Sequence, residues 1–208
     1  IEAKQIEERF KKVQIENITS KPPTMVGVDL SVRDDFSTVT YNLYSVDSRS
    51  FHSYTDYYFP DGALEKHPNC ELYKGWVKAG YLKLCKGDII DYQQIVDDIL
   101  KMANYLCIMG IGYDPYKSAE FVNLLSSSVG GEADIINPVK QTYGTFTSPV
   151  ESFEIAIYSN KISFDPNPIT PYCFANAILD EDRNCNKKPI KKTHNAKIDS
   201  TITNLMTF

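Results

Sequence analysis

The stretch Met25-Val26-Gly27-Val28-Asp29-Leu30 is a short apolar run with one acid inside it. Downstream, Val39, Tyr41 and Leu43 alternate with Thr40, Asn42 and Tyr44, the period of a half-buried strand. The turn residues Asp47, Ser48 and Arg49 then lead into a third strand over residues 51–59. A parallel neighbour would need a crossover of about a dozen residues or more, so these three strands form an antiparallel meander.

Beyond the meander, residues 60–86 hold the only tryptophan, Trp76, and are expected to cover one end of the sheet. Over residues 91–106, Ile95, Val96, Ile99, Leu100, Ala103 and Leu106 share one helical face, with Asp91 and Gln94 in capping-box positions. That helix feeds a second apolar run, Cys107-Ile108-Met109-Gly110-Ile111-Gly112-Tyr113, which ends at Asp114-Pro115. Residues 119–125 read as a helix, Gly130-Gly131 as a turn and residues 135–139 as a strand. Ser148-Pro149-Val150-Glu151 offers an N-cap, a proline at the first helical position and a glutamate three residues after the cap. It predicts a helix running to residue 158. Hairpins first and alternating strand and helix afterwards predict an α/β fold: a mixed sheet with an antiparallel part, flanked by helices.

The 208 residues fit one domain. Residues 1–22 read as a helical arm or linker, in which Ile6, Phe10 and Val13 recur until Asn17, Ser20, Lys21 and two prolines break the pattern. Residues 23–208 form the domain. The start at Ile1 and the polar segment after it fit a piece of a longer protein.

Twenty-two Lys and Arg against 27 Asp and Glu leave a net charge of −5, which excludes a protein that binds nucleic acid by bulk charge. No apolar run nears the roughly 18–20 residues that span a bilayer. The N-terminus lacks the apolar centre of a signal peptide, so the expected setting is cytoplasmic. Five cysteines without a CxxC pair are expected to be reduced thiols rather than a disulfide framework or a zinc site.

Three acids stand out. Asp29 lies in an apolar strand, where an ionised carboxylate costs several kcal/mol unless a cation or several donors compensate it. Asp114 sits where the second apolar strand runs out, and the carboxyl ends of strands are where open α/β sheets bind ligands. Asp199 precedes Ile202, Leu205 and Met206 at helical spacing. Each has a plain alternative: a strand-end acceptor, a turn-starting Asp before proline, and a first-turn acid favoured by the helix dipole. If they converge, three carboxylates without His or Cys suit hard cations such as Mg²⁺ or Mn²⁺. Two such ions about 4 Å apart assist hydrolysis of a phosphodiester by activating a water and stabilising the leaving oxygen.

Lys187, Lys188, Lys191, Lys192, His194 and Lys197 crowd a stretch with no acid. They are the local basic patch that binding to DNA phosphates would need, or else a solvated loop balancing Asp180, Glu181 and Asp182. Gly110-Ile111-Gly112 lacks the third glycine of a dinucleotide fold, and no phosphate loop of the GxxxxGK[ST] type is present. His52, His67 and His194 have no Ser or Cys partner recognisable by spacing.

In order and spacing, the chain resembles the C-terminal nuclease domain of the large subunit of tailed-phage terminases, a family with an RNase H-like fold. The resemblance covers about residues 24–208. It rests on Val26-Gly27-Val28-Asp29 with Ser37-Thr38-Val39, on Gly112-Tyr113-Asp114-Pro115-Tyr116, on Gln141 with Ser148-Pro149, and on Lys197-Ile198-Asp199. The stretch from Asn160 to Asn176 also looks like the family's segment before the last acid. The resemblance implies a DNA endonuclease that cuts concatemeric phage DNA during packaging in the bacterial host's cytoplasm. Asp29, Asp114 and Asp199 would hold two divalent cations, Mg²⁺ or Mn²⁺, with Asp29 bridging both. It further implies double-stranded DNA, the portal protein and the small terminase subunit as partners, and an ATPase motor that this chain lacks. Other readings are a resolvase or transposase of the same fold, or a non-catalytic scaffold that docks on DNA or the portal. A sugar-kinase or actin-like half is disfavoured, because Leu30-Ser31-Val32 follows Asp29 where glycine would approach phosphate.

Overall fold

The computed structural model describes Ile15, residues 20–33 and residues 35–208. Most of the expected N-terminal arm lies outside the described residues. Strands β1 (Pro23–Asp29), β2 (Ser37–Ser45) and β3 (Ser50–Pro60) form the expected antiparallel meander, with Val28 facing Val39 and Thr40 facing Thr55 across the ladders. At the β2–β3 turn Arg49 takes a φ of 49°.

Residues 60–86 carry two helices, α1 (Asp61–Leu64) and α2 (Cys70–Lys78), and the short strand β4 (Lys83–Cys85). Trp76 and Tyr73 on α2 pack with Phe36, Tyr57 and Phe59 in an aromatic cluster at this end of the sheet.

Helix α3 (Tyr92–Met102) is capped by Asp91, whose side chain accepts from the backbone N–H of Gln93 and Gln94. The capping box is half made, because the Gln94 amide donates to the Leu84 carbonyl instead of reaching back. Strand β5 (Cys107–Tyr113) follows the expected run, then α4 (Ala119–Val129), a 3₁₀ segment (Gly130–Ile135) and β6 (Ile136–Pro138).

The helix expected to start at Ser148 starts earlier. Helix α5 (Tyr143–Tyr158) is capped by Thr142, whose hydroxyl accepts from the Thr145 N–H, and Pro149 sits inside it. The buried face explains this start: Phe146, Val150, Phe153 and Ile157 recur at helical spacing, so burying Phe146 requires the extra turn. Proline leaves the Thr145 carbonyl without its usual i+4 donor. The chain continues through β7 (Ile162–Phe164), α6 (Ile169–Asn176), the hairpin β8 (Ala177–Glu181) and β9 (Lys187–Lys191), and α7 (Asp199–Leu205).

The sheet order is β4-β3-β2-β1-β5-β6, with β7 also pairing β3. β1–β5, β5–β6, β3–β4 and β3–β7 are parallel. The mixed sheet flanked by helices is therefore present. Side-chain alternation splits its two faces. Val26, Val28, Val39, Tyr41 and Ile111 face Ile95, Val96 and Ile99 of α3 and Phe121 and Leu125 of α4. The other face receives α7, whose residues are all buried. All five cysteines are free thiols.

Candidate active site

Helix α7 crosses the sheet on a floor of glycine. A Cβ on Gly27 would fall 2.2 Å from the Thr203 carbonyl oxygen, and one on Gly112 would meet Met206 O at 3.4 Å and Val139 at 3.0 Å. These two glycines are register partners on β1 and β5. Hydroxyls fasten the helix: Thr203 bonds Thr40 at 2.7 Å, Thr40 bonds Thr55 at 2.9 Å, and Ser53 donates to Asn204 at 2.6 Å.

Two residues beyond each glycine, on the same face of its strand, stands an acid. Asp29 ends β1, and the Asp114 N–H donates to the Val28 carbonyl at 3.2 Å, which sets the two acids side by side at the sheet's edge. Asp199 opens α7, one turn before Thr203. The three expected acids thus converge. Their charges interact: burial pushes the Asp29 carboxyl well up from its ordinary pKa, and Asp199, Asp114 and Asp35 push it further, while Lys191 opposes them. Asp199 is raised by burial first and then by Asp35, against Lys191 and Lys197.

Each acid is held differently. Asp114 accepts the Tyr116 N–H at 2.9 Å on one oxygen and the Gln141 amide at 2.5 Å on the other. Asp199 is buried, and its Oδ2 has no hydrogen-bond partner among the described residues. A buried carboxylate oxygen without a donor is costly unless a cation takes it. Hard oxygen donors and this orphaned atom fit a divalent cation. Among the described residues, no three His, Cys, Asp or Glu side chains stand close enough to hold an ion between them; Asp29 and Asp199 edge an open cleft, and Asp114 stands beside it, outside the lining.

That cleft has a volume of about 1190 Å³ and is lined by Asp29, Asp199, Gln141, Lys191, His194 and Lys197 among others. Asp35, which the sequence reading passed over, also lines it. Lys191 and Lys197 reach its carboxylate at 2.9 and 2.8 Å. The expected basic patch is divided. Lys191, His194 and Lys197 line the cleft; Lys187 and Lys188 stand on β9 opposite Glu181 and Asp180, and Lys188 lies 4.5 Å from the Tyr143 ring. Lys192 is exposed outside the lining. Asp35 carried no readable signal, being one polar residue in a short connection. The paired Gly-x-Asp triplets, Gly27-Val28-Asp29 and Gly112-Tyr113-Asp114, were a signal available in the sequence.

Residues 4–208 match the family model described as the terminase large subunit, endonuclease domain. The chain belongs to that family. Protein YmfN of Escherichia coli K12 is 28% identical over 173 residues, 79% of this chain and 36% of YmfN. The large terminase of bacteriophage HK97 superposes with a TM-score of 0.85 at 20% identity, over all of this chain and 42% of that one. The large terminase nuclease of thermophilic phage G20c, solved with bound magnesium, superposes at 0.58 with 6% identity, over 95% of this chain and 88% of that one. These likenesses give the terminase nuclease domain its RNase H-like fold. The chain spans well under half the length of YmfN and of the HK97 protein. No helix among the described residues is long and apolar enough to cross a membrane.

Proposed function

We propose that this terminase domain is a metal-dependent endonuclease that cuts concatemeric double-stranded phage DNA during packaging by hydrolysis assisted by two divalent cations, Mg²⁺ or Mn²⁺. The observation that carries the reading is the meeting of Asp29, Asp114 and Asp199 at one edge of the sheet, with an unpartnered, buried Asp199 oxygen. The magnesium in the G20c nuclease supports the cation.

Asp29, Asp114 and Asp199 would hold the cations, with Asp29 feeling the charge of both others. Cations held there supply an acidified water and charge neutralisation at the leaving oxygen. The protein's own work is positional. The Gln141 amide and the Tyr116 N–H hold Asp114 in one orientation, and α7 delivers Asp199 onto the strand ends. Lys191 and Lys197 offer positive charge and His194 a polar ring to phosphates in the cleft, with Lys187, Lys188 and Lys192 further along the hairpin. The domain would work with an ATPase motor, a portal protein and a small terminase subunit inside the infected bacterium.

The test is nicking and linearisation of supercoiled plasmid in Mg²⁺, Mn²⁺ and EDTA, with Asp29→Asn alongside. Cleavage that needs both the metal and Asp29 is expected. Cleavage that survives EDTA or Asp29→Asn sinks the reading.

A further inference from the structure

The lysines nearest the acids are already engaged. Lys191 and Lys197 pair with Asp35, while Lys187 and Lys188 stand on the hairpin outside the cleft lining. Two other ammonium groups line the same cleft from different loops: Lys66, between α1 and α2, and Lys117, just after Asp114. Both are exposed, and among the described residues no carboxylate pairs with either. Beside Lys117 stands Tyr116, 68% exposed, with the Lys117 ammonium 5.1 Å from its ring. The backbone N–H of Tyr116 donates to Asp114, so this aromatic is tied to one of the three acids of the proposed cation site. Lys117 also takes a φ of 55°, which L residues rarely adopt.

We infer that Lys66, Lys117 and Tyr116 form a second DNA grip: the two lysines neutralise backbone phosphates and the Tyr116 ring packs on the nucleotide beside the one being cut. This rests on the endonuclease reading. A cation without a carboxylate partner gives up no ion pair on meeting phosphate, whereas Lys191 and Lys197 must first leave Asp35. An exposed ring in a positively charged groove is the means by which proteins hold a single nucleic-acid strand.

The test is anisotropy with a duplex oligonucleotide in calcium over a salt series, beside plasmid cleavage in manganese. Each phosphate contact adds about 0.9 to the slope of log affinity against log salt. The double variant Lys66→Ala/Lys117→Ala is therefore expected to lower the slope by about 1.8, making the loss of affinity between about 50 and 200 mM salt roughly 12-fold smaller. Its melting temperature and calorimetric Mn²⁺ affinity should match wild type. Lys78→Ala/Lys86→Ala removes the same charge from exposed sites outside the cleft and should leave the slope unchanged. Tyr116→Ala should weaken binding and Tyr116→Phe restore it. An unchanged slope in Lys66→Ala/Lys117→Ala, an equal change in the control pair, or wild-type binding by Tyr116→Ala overturns the grip. A wild-type protein that binds duplex with the expected slope and never cuts overturns the endonuclease reading alone.

Discussion

Gly27 and Thr203 are packed with no room for a side chain between them: a Cβ on the glycine would lie 2.2 Å from the threonine's carbonyl oxygen. That contact places α7, and with it Asp199, over the ends of β1 and β5. Gly27→Ala must push the helix away or strain it, at a cost of about 1–3 kcal/mol by the usual scale for overpacking. Chemical denaturation should show that loss. Plasmid cleavage should fall by more than the stability loss explains, because Asp199 moves with the helix.

Gln141 fixes one oxygen of Asp114. Removing a group that orients a metal-binding carboxylate typically weakens metal affinity about 10–100-fold. Gln141→Ala should therefore weaken Mn²⁺ binding measured by calorimetry, with little change in melting temperature, since Gln141 lines the cleft rather than the core. An unchanged Mn²⁺ affinity would remove Gln141 from the site.

The raised carboxyl of Asp199 makes stability depend on pH. An acid whose folded pKa lies above its unfolded value holds more protons in the folded state, so its contribution falls as pH rises from about 4 into the neutral range. Asp199→Asn abolishes that penalty. Without added metal, the variant should melt above wild type by a margin that widens from acid to neutral pH, while losing cleavage. Added Mn²⁺ should raise the melting temperature of wild type more than that of the variant. A margin constant with pH would contradict the burial argument.

Two caps compete for the start of α5. The structure uses Thr142, so Thr142→Ala should destabilise the protein by about 1 kcal/mol. Ser148 is exposed within the helix, and Ser148→Ala should stay within about 0.5 kcal/mol of wild type. Urea denaturation separates the two. The reverse order would restore the helix start read from Ser148-Pro149.

The sequence by itself determined what local chemistry can encode. Alternating side chains and short turns specified the β1-β2-β3 meander, the apolar run before Asp114 specified β5, and acids at two strand ends and one helix start marked three positions of the proposed site. Periodicity and turn residues act over a few positions, so they survive without knowledge of the rest of the chain. Tertiary structure alone decided where α5 begins, because burial of Phe146 outweighed a good local cap at Ser148. It also decided that Asp35 stands among the acids and takes up Lys191 and Lys197, and that Lys66 and Lys117 line the cleft from loops far apart in sequence. Those relations depend on distances between segments, set by α7 lying against Gly27 and Gly112. The two Gly-x-Asp triplets are legible in the sequence, but the room each glycine leaves has no meaning until the helix that needs it is in place.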